Sequence, residues 1–150
     1  MKYKSAVIDA VEQVMREAYY LTPDLNNDGE LKVTFSDNLE IDEGYIVKLM
    51  LAGEGGLYFR YNRELTKLMA QYSMGTSADE LKEEHLQAVA QDASEMVGGA
   101  FLMAINSEES YEVEHVLSMN GEPYVMKELP SFAVYFDGFT MELYMKVPEG

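Results

Sequence analysis

The segment from Phe132 to Val147 is organised around Asp137-Gly138, with apolar and polar residues alternating after the turn. Phe139, Met141, Leu143, Met145 and Val147 fall on one face of an extended strand, and Thr140, Glu142, Tyr144 and Lys146 on the other. Asp-Gly tolerates the positive φ angles of a tight hairpin turn. A ribbon of this kind buries one face and needs a second layer to cover it. The face carrying Glu142 and Tyr144 is left for solvent or for a partner.

The second layer is legible as helices. Ala6, Val7, Ala10, Val11, Val14, Met15 and Ala18 form an apolar stripe of helical period, which predicts a helix over 4–20 that Thr22-Pro23 terminates. A shorter helix is predicted over 63–73, stopped by Gly75. The longest runs from Ser77 to about Ile105 through Leu81, Leu86, Val89, Ala93, Met96 and Val97, with Ser77 and Glu80 at capping-box spacing. Further strands are predicted over 31–35, 45–51, 57–61 and 111–119, with Gly53, Gly55 and Gly56 in one hairpin turn and Asn120-Gly121 in another. The order predicts one α+β domain over 1–150, a largely antiparallel sheet with two long helices packed on one face. The first and longest helices align without gaps at an offset of 82, pairing Ala6-Val7 with Ala88-Val89 and Ala18-Tyr19 with Ala100-Phe101. Either an internal repeat with pseudo-two-fold symmetry or shared helical spacing accounts for this.

Composition narrows the chemistry. Cysteine is absent, so thiolate metal sites and a cysteine nucleophile are excluded, and two histidines, His85 and His115, cannot build a His-rich metal centre. Twenty-seven carboxylates against 11 cations give a net charge of −16, the wrong sign for nucleic acid or an anionic membrane. No apolar run approaches the ~20 residues of a membrane span. The amino-terminal stretch lacks the apolar core of a signal peptide, so a cytoplasmic location is expected.

Asp24-x-Asn26-x-Asp28-Gly29 has the first half of a calcium-loop pattern, with Glu30 as a further oxygen donor. The twelfth position is Phe35 instead of a bidentate Glu, and these residues also form ordinary turns. A turn without metal and a calcium site both remain open. His85 and His115 lack the His-Glu-x-x-His spacing of zinc enzymes and read as structural. Met69, Met74, Met96 and Met103 suit either core packing or an adaptable partner surface.

The stretch from Tyr45 to Ile105 holds a strand, a Gly-rich hairpin, a strand, a helix ending in Met74-Gly75, and the long helix. It resembles the CheC/CheX/FliY chemotaxis phosphatases, and among them the single-domain CheX branch. That resemblance implies action on the aspartyl phosphate of CheY-type receiver domains. The family motif on the long helix is Glu-x-x-Asn, followed by a stretch of the kind Asn-Met-Ile-Ala-Gly-Asn-Ala. It implies that Glu pairs with a receiver lysine and that Asn orients the attacking water, while the receiver supplies magnesium and the protein holds no cofactor of its own.

Matching Gly98 and Ala100 to the small residues of that stretch puts Gln91 at the Glu position and Ser94 at the Asn position. Both depart from the motif. Gln91 cannot form the charged pair, and Ser94 lacks the amide's fixed donor and acceptor. A shifted register with Glu95 as the acid puts Gly98 at the Asn position, without a side chain. Asp9 and Glu12 hold the equivalent places on the first helix. The resemblance therefore implies docking on a phosphorylated receiver domain through Gln87, Gln91, Ser94, Glu95 and Gly98, without catalysis. The alternatives are a weakly active phosphatase using Gln91 and Ser94, and an unrelated binding module with a calcium loop. It also allows a homodimer through paired sheet edges.

Overall fold

The computed structural model describes residues 4–35, 43–51, 56–105, 111–120 and 131–146. In chain order the elements are α1 (Lys4–Tyr19), β1 (Val33–Phe35), β2 (Glu43–Leu51), β3 (Gly56–Asn62), α2 (Arg63–Met74), a 3-10 turn (Ala78–Glu80), α3 (Glu83–Ala104), β4 (Tyr111–Asn120), β5 (Ser131–Phe136) and β6 (Phe139–Lys146). The six strands among the described residues form one sheet in the order β1-β5-β6-β3-β2-β4. Every neighbouring pair is antiparallel. The fold class read from the sequence is the one observed.

Strand period explains the core. Tyr45, Val47 and Leu49 of β2, Leu57, Phe59 and Tyr61 of β3, and Met141 and Leu143 of β6 all lie on one face. They join Val7, Val11 and Met15 of α1, Leu65 and Met69 of α2, and Ala90, Ala93, Val97 and Phe101 of α3 in one cluster. Burying each large side chain contributes about 1.5–3 kcal/mol. The β5–β6 hairpin forms at Asp137-Gly138, whose φ angles of 51° and 82° are those the turn requires.

The opposite face of the central strands is not left to solvent. Glu142 and Tyr144 are buried, and so is Arg60, their neighbour on β3. Arg60 and Glu142 are register partners joined by a 3.0 Å ion pair. The Tyr144 hydroxyl donates to Glu142 at 3.0 Å and accepts from Arg60 at 3.2 Å. The cross-strand cation makes burial of Glu142 tolerable, and nothing in the alternation of β6 alone reveals it.

The helix ends follow local chemistry. After α1, Tyr20 takes a left-handed φ of 56° and the Leu21 amide donates to the Met15 carbonyl at 3.0 Å, a Schellman closure. Asn62 caps α2 by accepting from the amides of Glu64 and Leu65, and Gly75 ends it at φ 69°. The long helix begins six residues later than Ser77. Glu80 donates its amide to the Ser77 carbonyl within a separate 3-10 turn, and Lys82 is the residue that precedes α3. The Lys82 amide donates to the His85 ring at 3.1 Å, which gives His85 a capping role. Gly53, Gly55 and Gly121 lie outside the described residues.

Candidate functional site

Helix α3 lies across the sheet beside α1 and α2. Its first turn is fixed to both neighbouring layers. Glu83 accepts from the Tyr45 hydroxyl at 2.7 Å and pairs with Arg63 at 2.8 Å. Burial of Tyr45 and its bond to Glu83 push that phenol well above its ordinary range.

The buried arc of α3 comprises Leu86, Val89, Ala90, Ala93, Ser94, Val97, Gly98, Phe101 and Leu102. Ser94 therefore falls in the core and not on the face a partner can reach. Its hydroxyl donates to the Ala90 carbonyl at 2.8 Å and lies 2.8 Å from the Tyr61 hydroxyl. Gly98 is also buried, and a Cβ there would stand 2.6 Å from Leu49 Cδ1, so it is the position where α3 approaches β2 closely. Gln87, Gln91 and Glu95 are half-buried at the edge of the exposed arc. Gln91 and Ser94 are thus not presented together. A 100° step per residue places 94 inside the arc marked by 90, 97 and 101, and this was the signal in the sequence that separates them.

The residues that do share the outer face are Asp92, Glu95, Met96 and Gly99. They line a shallow depression of about 510 Å³, open to solvent. Asp92 and Glu95 stand one helical turn apart, and Met96 is 41% exposed. Met103 is 80% exposed further along α3, whereas Met69 is in the core. Tyr19, buried at the end of α1, has its phenol raised first by burial and then by the negative charge of Asp92. The two helices thus meet close to this depression.

Burial repeats between α1 and α3, at a spacing one residue longer than the sequence alignment suggests. Val7, Ala10, Val11, Val14, Met15 and Tyr19 are buried, as are Ala90, Ala93, Ser94, Val97, Gly98 and Leu102 at a spacing of 83. In this register Asp9 corresponds to Asp92 and Glu12 to Glu95. On α1 Glu12 is paired with Arg16 at 2.6 Å, and Gly99 stands at the place of Arg16 on α3.

The Asp24–Glu30 segment does not gather its oxygens about one point. Both Asp24 carboxylate oxygens are engaged by the hairpin turn, accepting from the amides of Asp137 at 2.9 Å and Gly138 at 2.7 Å. Asp28 accepts from the Glu30 amide at 2.9 Å, and the Asn26 amide donates to the Glu30 carbonyl at 2.7 Å. The Asp-x-Asn-x-Asp-Gly spacing is accounted for by turn formation. Among the described residues no three His, Asp or Glu side chains are grouped to hold a metal ion. No helix of the described residues is long and apolar enough to cross a membrane. His115 sits in β4 opposite Lys48, and its side chain lies outside the described detail.

No protein-family model matches the chain, and no curated protein matches it in sequence. Solved structures do. The chemotaxis protein CheX from Desulfovibrio desulfuricans superposes with a TM-score of 0.72 at 9% identity, over 99% of this chain and 100% of that one. CheX from Vibrio vulnificus gives 0.73 at 12% identity, over 97% and 95%. The CheX–CheY–BeF3–Mg2+ complex from Borrelia burgdorferi gives 0.66 at 16% identity, over 98% of each chain. This chain has the CheC/CheX fold. The likeness extends beyond the stretch from Tyr45 to Ile105 to α1 and the carboxy-terminal strands of the CheC/CheX fold, none of which carries a sequence motif.

Proposed function

We propose that this protein docks on a CheY-type receiver domain of a two-component or chemotaxis pathway through the outer face of α3, without hydrolysing its aspartyl phosphate. The observation that carries the proposal is the Asp92-x-x-Glu95-Met96 run, which lines the open depression on α3 with Asp92 and Met96 exposed and Glu95 half-buried, on a fold whose Borrelia burgdorferi example is a CheX in complex with CheY. Read one residue later than Gln91 and Ser94, the family motif keeps an acid at its first position. Asp92 takes the Glu position, Glu95 the Asn position, Met96 the Met of the following stretch, and Gly99 its Gly.

In this register the acid is retained and the amide is lost. Asp92 is one methylene shorter than Glu but keeps the charge that would pair with a receiver lysine. An ionised Glu95 only accepts hydrogen bonds, whereas Asn both donates and accepts. A water held for in-line attack needs fixed orientation, and a carboxylate does not reproduce the amide's pattern. Magnesium, in this reading, belongs to the receiver.

The test is the lifetime of phospho-aspartate on the source organism's receiver domains, with magnesium, in the presence and absence of this protein. Unchanged decay together with measurable binding to one receiver is the expected result. Faster decay would make the protein a phosphatase despite Glu95, and absence of binding to every receiver would sink the docking reading.

A further inference from the structure

The chain has 11 methionines and no cysteine, so an oxidant that reaches it finds thioethers and no thiol. Burial sorts those thioethers among the described side chains. Met15, Met69 and Met141 are fully buried, whereas Met74 at the end of α2 is 44% exposed, Met96 41% and Met103 80%. Met96 and Met103 lie two helical turns apart on α3 and so share its outward side. Gly99, one turn from each, has no side chain to shield them. Of the three exposed methionines, Met96 lines the depression on α3. In the register that matches the burial of α1 with that of α3, Gln13 and Tyr20 hold the corresponding places, so the other helix presents no thioether there.

Resting on the docking reading, we propose that Met96 is a reversible oxidation site that switches docking off. Hydrogen peroxide is the oxidant. The thioether sulfur attacks one peroxide oxygen, the O–O bond breaks as the S–O bond forms, and the departing hydroxide takes the proton of the transferred oxygen to leave as water. The sulfur loses two electrons and the peroxide gains them. The product is a sulfoxide, polar and chiral where the thioether was apolar and flexible. Its oxygen loses its water when a partner closes over the depression, and an apolar contact does not compensate for that loss. A methionine sulfoxide reductase, with two electrons from a pair of thiols, removes the oxygen as water and restores the contact.

The experiment treats the full chain with dilute hydrogen peroxide and follows its peptides by mass spectrometry. Met74, Met96 and Met103 are expected to gain oxygen at least about tenfold faster than Met15, Met69 and Met141. After removal of the peroxide, the oxidised protein, with an unchanged circular dichroism spectrum, is titrated against each CheY-type receiver domain that binds the untreated chain. It is expected to bind at least about tenfold more weakly, and treatment with the reductase to restore binding. Met96→Leu is expected to bind and to be indifferent to peroxide, whereas Met74→Leu stays sensitive. Oxidation of Met96 no faster than that of the core methionines, full binding by the oxidised protein, or a loss that persists in Met96→Leu overturns the inference while docking stands. Binding of the untreated chain to no receiver overturns the docking reading and this inference with it.

Discussion

The hydroxyl of Tyr61 on β3 lies 2.8 Å from the hydroxyl of Ser94 on α3, and both side chains are fully buried. Ser94 donates onward to the Ala90 carbonyl, so Tyr61 is the donor to Ser94. This bond joins the site helix to the centre of the sheet. Ser94→Ala is expected to lower stability by about 1–2 kcal/mol, because it leaves the Tyr61 hydroxyl buried without its acceptor. Ser94→Asn adds atoms to a filled core and is expected to cost about 1–3 kcal/mol. Urea midpoints at constant slope measure both. An Asn at 94 tolerated without loss would return this position to the surface.

In the proposed docking reading, the same geometry decides which exchange would supply the family's phosphatase chemistry. Asp92→Glu with Glu95→Asn rebuilds the Glu-x-x-Asn pattern on the exposed arc. On a receiver that binds, the pair is expected to accelerate phospho-aspartate decay by at least about tenfold, since positioned water is what the proposed reading says this site lacks. Gln91→Glu with Ser94→Asn is expected to leave decay unchanged and to destabilise the protein. Acceleration by the second pair but not the first would reverse the assignment.

Most of the architecture was legible because it rests on local periods. The strands, the Asp137-Gly138 turn and three helices follow from alternation, stripes and caps. The site register was not, because Gly98 and Ala100 resemble a small-residue motif as well as Gly99 does. The helical period that puts 94 on the apolar arc was the one signal in the sequence against the first register, and the burial of Ser94 against Tyr61, 33 residues away in sequence, makes it visible. Arg60 and Glu142 escaped for the same reason. Each looks like a solvated charge in its own strand, and the pairing of β3 with β6 is what buries them together.

Gly98 tests how closely α3 must approach β2. Alanine is favoured over glycine in a helix by about 1 kcal/mol. Here its Cβ would stand 2.6 Å from Leu49 Cδ1, and Leu49 is itself fully buried. Gly98→Ala is therefore expected to be destabilising by about 1–2 kcal/mol net. Leu49→Val in the same chain is expected to recover part of that loss, so the two changes should be less than additive. Thermal or urea unfolding of the four variants gives the coupling directly, and strict additivity would show that the two side chains do not compete for space.

The Arg60–Glu142 pair is buried on both sides, with 0% and 1% side-chain exposure. Burial raises the Glu142 carboxyl above its ordinary value, opposed by the Arg60 charge and by hydrogen bonds from Tyr144 and Arg60. Removing one partner alone, by Arg60→Met or Glu142→Leu, is expected to cost about 3–5 kcal/mol, because a charge remains buried without its counterpart. The double variant is expected to be much less destabilised than the sum. Equal losses in single and double variants would mean that the pair contributes through packing and not through charge.

Tyr19, Tyr45 and Tyr61 give the fold an alkaline limit. Burial raises all three phenols above the ordinary value of 10.0, helped by the Asp92 charge at Tyr19 and by Glu83 at Tyr45. The fold therefore keeps these groups protonated where the unfolded chain would release the protons. Their contribution to stability is complete below pH 10, the ordinary phenol value, and is lost as pH rises above it, because the unfolded state then binds fewer protons than the native state. Tyrosinate absorbance and far-ultraviolet circular dichroism followed together through that range provide the measurement. The last tyrosines are expected to ionise only as the helical signal collapses. Ionisation of all 11 tyrosines with the helices intact would contradict the burial of these three phenols.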